Sequence, residues 1–167
     1  IAVGGNVTTN NYQISFMKEH GAFFVNNASI GLAVRGGVKL NSGTLQVNQD
    51  NYVKIGNCNP SDGSGNKLTV YYKDGNAAST IRINAGSDYS STPNIMINAN
   101  VNTWSPAVSE SVNPVCENVF GTGAGQIDID GAFTKFIKRS AQRGTADQPG
   151  GPGDEDGAGG HGPKRSE

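Results

Sequence analysis

The fold is decided by the stretch from Ala28 to Asn57, which reads ASIGLAVRGGVKLNSGTLQVNQDNYVKIGN. Apolar residues occupy every second position in its short runs, which are Leu32 to Val34, Val38 to Leu40, Leu45 to Val47 and Val53 to Ile55. This period of two predicts β-strands with one buried face and one solvated face. Gly, Asn and Ser separate the runs, and these residues tolerate a positive φ or bond their own backbone. Short strands with such corners are typical of a β-solenoid or a small sandwich.

An earlier segment repeats part of this stretch. AVGGNV at residues 2–7 and AVRGGV at residues 33–38 share Ala, Val, Gly and Val at matching positions, 31 residues apart. Each copy leads into a polar turn and another alternating run. A repeat of this kind favours stacked coils over a Greek key. We therefore predict a mainly β fold for residues 1–143, a β-solenoid-like stack of short strands.

A hairpin is predicted after the organising stretch. Lys67 to Lys73 and Ser79 to Ile83 both alternate in hydrophobicity. A tight turn at Asp74-Gly75 or Gly75-Asn76 joins them, and such dipeptides favour two-residue hairpin connections.

One long helix is predicted from Asp128 to Arg143. Asp128 or Asp130 can cap its N-terminus. Its apolar positions form a single stripe, which consists of Ile129, Phe133, Phe136, Ile137 and Ala141. We expect this stripe to pack against the sheets, and binding of a partner is the alternative.

The last 24 residues, 144–167, have a different composition from the rest. They contain no aliphatic residue larger than Ala, and five acidic residues stand against two basic ones. Such a segment buries too little apolar surface to offset the entropy of ordering it. We predict a disordered Gly/Pro-rich acidic tail.

Composition indicates an extracellular protein rather than a cytosolic α/β enzyme, because only 16% of residues are charged and 24 of 167 are Gly. Residues 1–126 carry seven basic and seven acidic groups, while 127–143 carry four basic and two acidic groups. The neutral body offers no basic face for nucleic acid or anionic lipid. The absence of a run of 18 apolar residues argues against a membrane span. Since the sequence begins at Ile1 with no Met or apolar leader, we expect a leader to have been removed.

The two cysteines, Cys58 and Cys116, are predicted to form a disulfide. Such a bond stabilises the fold by about 4 kcal/mol in the chain-entropy model, and two free structural thiols are the alternative. No CxxC spacing suggests zinc. Asn6 and Asn27 begin N-x-S/T sequons and are candidate glycosylation sites if the source is eukaryotic.

No catalytic arrangement stands out. His20 is the one histidine before the tail, no GxSxG motif accompanies it, and no phosphate-binding loop is present. We therefore expect neither catalysis nor a cofactor or bound metal. The enzymatic alternative is a β-helix polysaccharide lyase, for which the candidate side chains are Arg35, Lys39, Lys54, Arg82 and Asp50.

Three segments together resemble the choice-of-anchor A domain. IAVGGNVTTNNYQI (1–14) is similar to its R-A-V-G-G-N-x-T segment, and AVRGGVKLNSGT (33–44) is similar to its VVGGNLTLNSG-type copy. GQIDIDGAFTKFIKRSA (125–141) resembles its I-D-F-D-x-A-F-x-x-L-x-x-x-S helix. The chain departs from the family at Arg35, Ile129 and Phe136, and an acidic tail replaces the strands expected after the helix.

The resemblance implies a secreted, β-rich surface module with a C-terminal anchor, adhesive or collagen-binding in some members, and without catalytic residues. We expect a secreted or cell-surface protein that adheres or assembles through its strands. Its partner is an extracellular matrix protein, a glycan or an identical chain, and its binding face carries Arg35, Lys39 and Tyr52. A self-assembling filament subunit and a carbohydrate-active β-helix enzyme are the alternatives.

Overall fold

The computed structural model describes residues 1–14, 23–48, 51–75, 80–97 and 110–146. The fold is mainly β, with several sheets and one α-helix, which confirms the predicted class. The chain divides into two compact units, Ile1–Ala132 and Phe133–Glu167. The elements are β1 (Ala2–Val3), β2 (Val7–Thr9), β3 (Tyr12–Ile14), β4 (Phe24–Val25), β5 (Ala28–Val34), β6 (Val38–Leu40), β7 (Thr44–Val47), β8 (Tyr52–Ile55), β9 (Thr69–Tyr72), a 3₁₀ turn (Lys73–Gly75), β10 (Ile81–Asn84), β11 (Asn94–Ile97) and α1 (Ile129–Ala146).

The repeated segments lie side by side as parallel strands. β1 pairs with β5, with Ala2 opposite Ala33, and β2 pairs with β6, with Val7 opposite Val38. Both registers correspond to the 31-residue offset of the repeat. β3 pairs with β7 in the same parallel sense. We call β1, β2 and β3 the first tier, and β5, β6 and β7 the second tier.

A third tier covers the other side of the second. β8 is parallel to β5, and β11 is parallel to β7. Beside β6, the backbone N–H of Asn66 donates to the Val38 carbonyl at 2.9 Å, and its side-chain Oδ1 accepts from the Leu40 N–H at 2.7 Å. Every strand of the second tier therefore has neighbours on both sides.

The predicted hairpin is present as β9 and β10. The two strands are antiparallel, with Tyr72 opposite Ile81, and β10 continues the sheet to β11. The 3₁₀ turn follows β9, and Asp74 has a positive φ of 55° there. The predicted two-residue turn is wrong, because the Lys73 N–H donates to Thr80 O at 3.0 Å, which leaves residues 74–79 between the paired positions. Asn76 lies outside the described residues.

Alternation predicts β7 correctly but fails at β8. The inward residues of β7 are buried and Gln46 is half-buried between them, whereas all four residues of β8 are buried. The segment 110–120 contacts the Tyr52 and Lys54 side chains of β8. It also pairs with the edge of that strand, where the Ile55 N–H donates to the Val115 carbonyl at 2.8 Å. A parallel strand covered on both faces buries its polar residues together with its apolar ones.

The helix begins where the sequence predicts, but it ends at Ala146 rather than Arg143, so the first three residues of the predicted disordered tail are helical. Asp128 caps it, because its Oδ1 accepts from the Gly131 N–H at 2.8 Å. Within the predicted apolar stripe, Ile129 is half-buried and packs against the core, whereas Phe133, Phe136 and Ile137 are 61%, 69% and 65% exposed. The prediction that these three side chains are buried is wrong, because periodicity specifies which residues share a face and not whether that face is covered.

Candidate functional site

The first tier has open strand edges. The Val7 N–H donates to Gly37 O at 3.0 Å, and Thr9 O accepts from the Asn41 N–H at 2.9 Å. Backbone polar groups alternate between the two sides of a strand, so those of Thr8 point away from β6. Within the described ranges, β1, β2 and β3 each pair with a second-tier strand only.

An apolar cleft opens between these edges, with a volume of about 400 Å³. Leu32 and Leu45 of the second tier form its floor. The remaining lining comes from the first tier and the residues flanking its strands: Ile1, Val3, Val7, Thr8, Thr9, Asn10, Asn11, Tyr12 and Ile14. Ile1 and Tyr12 are each 63% exposed at this cleft. Within the part of the chain that the structure describes, this side of the first tier is therefore open.

Hydrogen bonds at the corners hold the first tier against the second. Asn6 Oδ1 accepts from the Gly37 N–H at 2.9 Å, and Arg35 Nε donates to Gly4 O at 2.6 Å. At Gly36 a Cβ atom would lie 2.0 Å from Asn6 Oδ1, so a larger residue there would displace the Asn6 side chain from the Gly37 N–H. These corner contacts hold the first tier in a defined position on the second.

A polar cluster lies under the segment 110–120. Lys54 is fully buried, its Nζ donates to Pro114 O at 2.9 Å, and it forms an ion pair with Glu117. Tyr52 is also fully buried, and its hydroxyl donates to Glu110 Oε2 at 3.3 Å. The same oxygen accepts from the Val115 N–H at 3.1 Å.

Burial dominates the electrostatics of this cluster. It raises the pKa of Glu110, against the opposing effect of the hydrogen bonds from Val115 and Tyr52 and of the Lys54 charge. Burial also raises the pKa of Tyr52 and of Tyr72, and the Glu110 charge adds to both shifts. Both phenols stay protonated at neutral pH, so the cluster attaches the segment 110–120 to β8 and supplies no phenolate nucleophile.

The disulfide joins Cys58 to Cys116, with Cα atoms 5.7 Å apart. It confirms the predicted pairing and excludes the alternative of two free thiols. Because Cys116 stands beside Glu117, the covalent bond and the Lys54 ion pair attach the same short segment to the third tier.

The predicted binding face does not form as a unit. Tyr52 is buried beneath the segment 110–120, so its place on a surface face was wrong. Lys39 is exposed on β6. Arg35 is half-buried, and its Nη1 donates to Asp130 Oδ2 at 2.7 Å in an ion pair.

The residues proposed for a lyase are engaged elsewhere. Lys54 is buried in its ion pair, and Arg82 stacks over the Tyr89 ring at 4.6 Å. Asp50 and His20 lie outside the described residues. In the described part of the chain, no three His, Cys, Asp or Glu side chains are grouped to hold a metal ion. The helix found there is not long and apolar enough to cross a bilayer.

Both sequon asparagines are exposed. Asn27 lies in the turn between β4 and β5 with a φ of 65°. At Asn6 the corner uses only Oδ1, which leaves the Nδ2 atom that a glycan would modify. Glycosylation at these positions stays a prediction.

Sequence reasoning missed Glu110 and Glu117. They lie 58 and 63 residues from the side chains they contact. The one signal in the sequence was a Lys between Val53 and Ile55, inside an apolar run that predicts a buried strand. No family model, curated protein or solved structure matches the chain.

Proposed function

We propose that this protein is a non-catalytic extracellular module that adheres or assembles through its open strand edges, built as a β-solenoid-like stack. The observation that supports this proposal is the first tier, where, among the described residues, β1, β2 and β3 pair on one side only and surround an apolar cleft. Unpaired edges are templates for further strands unless they are covered.

The parallel tiers support the stacked-coil interpretation. The first and second tiers pair at the offset of the sequence repeat, and the third tier continues the stack through β8 and β11. Such a stack grows by addition of coils at its ends, which is the property that solenoid proteins must limit by capping. This architecture also suits the choice-of-anchor A resemblance of residues 1–143.

An extracellular location is supported by the Cys58–Cys116 disulfide, since such bonds persist in oxidising compartments. The enzymatic alternative has less support, because Lys54 is buried in an ion pair. Adhesion and assembly both use β-strand addition, in which the backbone bonds of an added strand supply affinity. For assembly the added strands come from an identical chain, and for adhesion from a matrix protein, with glycan as a further adhesive ligand.

The test for assembly is a proline that blocks only the open edge. Thr8→Pro removes the outward N–H while leaving the Val7 and Thr9 bonds to the second tier intact, and edge strands tolerate such a proline. Thr8→Val is the matched control, because it keeps the N–H and removes the Asn6 sequon equally. We expect the mean mass by light scattering to rise with concentration for the wild type and the control, and to stay monomeric for Thr8→Pro.

Negative-stain images of the same samples separate ordered filaments from irregular aggregates. Equal growth of all three proteins would contradict assembly through this edge. A wild type that stays monomeric at every concentration would contradict assembly itself, and saturable binding of that monomer to collagen or glycan would then support adhesion.

A further inference from the structure

The inference starts from the exposed face of α1. Phe133, Phe136 and Ile137 are spaced i, i+3 and i+4, so they share one face of the helix, and each is more than 60% exposed. Large exposed apolar side chains that lie together mark an interaction surface, whereas a single exposed apolar residue does not.

The opposite face of the same helix is basic. Lys135, Lys138 and Arg139 have the same i, i+3, i+4 spacing, displaced by two residues from the apolar set, which corresponds to about 200° around the helix. All three are exposed. With Arg143, the helix carries four cations against the single carboxylate of Asp130.

We propose that α1 is a membrane-surface helix that lies on an anionic lipid bilayer, with its Phe face among the acyl chains and its cations at the head groups. Helices with bulky apolar residues on one face and a strongly charged face rich in Lys and Arg on the other bind in this manner. Anionic lipid attracts each nearby cation, and long Lys and Arg side chains extend from the apolar region back to the head groups.

Charge and hydrophobicity together favour lipid over an acidic peptide. The chain's own tail, residues 147–167, offers five carboxylate side chains, but it contains no aliphatic residue larger than Ala. It can neutralise the basic face and still leave Phe133 and Phe136 in water. An anionic bilayer satisfies both faces at once.

The test is sedimentation of the full chain with vesicles of phosphatidylserine mixed with phosphatidylcholine, and with vesicles of phosphatidylcholine alone. We expect binding to the anionic vesicles, weakened by salt. Replacing Lys135, Lys138 and Arg139 with Gln is expected to weaken it at least about tenfold. A triple Lys39→Gln, Lys67→Gln, Lys73→Gln variant changes the net charge equally on the other unit and is expected to bind like the wild type.

A second variant isolates the apolar face. Phe133→Gln, Phe136→Gln and Ile137→Gln together keep good helix formers at exposed positions, which circular dichroism verifies. We expect this variant also to lose anionic-vesicle binding. The proposal is overturned if the wild type does not sediment with the anionic vesicles, or if the matched control loses as much binding as the basic-face variant. Unchanged binding of the Phe-face variant, with polyglutamate competing fully, would assign the helix to acidic peptides instead.

Discussion

At the scale of single residues, the polar groups beneath the segment 110–120 determine how β8 is covered. Lys54 satisfies both a carbonyl and a carboxylate from that segment, and Glu110 accepts two hydrogen bonds on one oxygen. Removing one partner of such a pair is costly, because it leaves a buried ion without compensation. The burial of Glu110 should also make stability depend on pH.

Glu110 is the group for which the sign can be derived. Burial raises its pKa in the folded protein above the unfolded value, so the folded protein retains the proton more strongly. Its contribution to stability is fully present below the unfolded pKa of about 4.3 and is lost as pH rises through the folded pKa. Glu110→Gln keeps an acceptor oxygen for Tyr52 and Val115. We expect it to remove this loss of stability at higher pH.

The measurement is the free energy of unfolding by urea across that pH range. The stability advantage of Glu110→Gln over the wild type should grow as pH rises and then become constant. Asp74→Asn, at an exposed carboxylate, is the matched control for the loss of one charge. If the difference between Glu110→Gln and the wild type is independent of pH, the burial argument fails.

At the scale of elements, the sequence predicts where strands and helix caps occur better than it predicts which faces of these elements are covered. The alternation from Val38 to Val47 locates β6 and β7, and the aspartate at 128 locates the start of α1. These signals are local, because a strand's period and a helix cap involve residues a few positions apart. What covers β8 depends on contacts about 60 residues away, which no local pattern encodes.

The same limit applied to the candidate site. Tyr52 alternates like a surface residue in the sequence, but it is buried beneath the segment 110–120. The Phe stripe of α1 shows the opposite error. A hydrophobic face is the same in sequence whether it meets the protein's own core or another partner.

The turns between tiers bring backbone atoms close together, and this close approach can be tested by adding a single methyl group. A Cβ on Gly56 would lie 2.2 Å from Arg35 O, whereas a Cβ on Gly5 would meet nothing within 4 Å. Backbone cannot yield as a flexible side chain can, so we expect Gly56→Ala to lower the free energy of unfolding by about 1–3 kcal/mol. Gly5→Ala is the control, expected within about 0.5 kcal/mol of the wild type. Equal urea midpoints for the two variants would contradict the close approach.

At the scale of the whole molecule, contacts between residues far apart in sequence and one covalent bond together attach the segment 110–120. The disulfide joins residues separated by 58 positions, and the chain between them contains β9, β10 and β11. Without the bond, the segment 110–120 would be held by Lys54, Glu110, the backbone pairing at Val115 and the hydrogen bonds of Asn113 and Val112 to the turn after β4. The unfolded chain would also gain the conformational freedom that the closed loop removes.

We therefore expect the double variant Cys58→Ala, Cys116→Ala to lose about 4 kcal/mol of stability. The double variant and the wild type should unfold at similar urea concentrations in the presence of reductant. In its absence only the wild type should shift to a higher midpoint, because only it can form the bond. A wild type whose midpoint does not respond to reductant would contradict a stabilising role for the bond. A reduced wild type that keeps its near-ultraviolet dichroism at low urea would show that these noncovalent contacts suffice to hold the segment on β8.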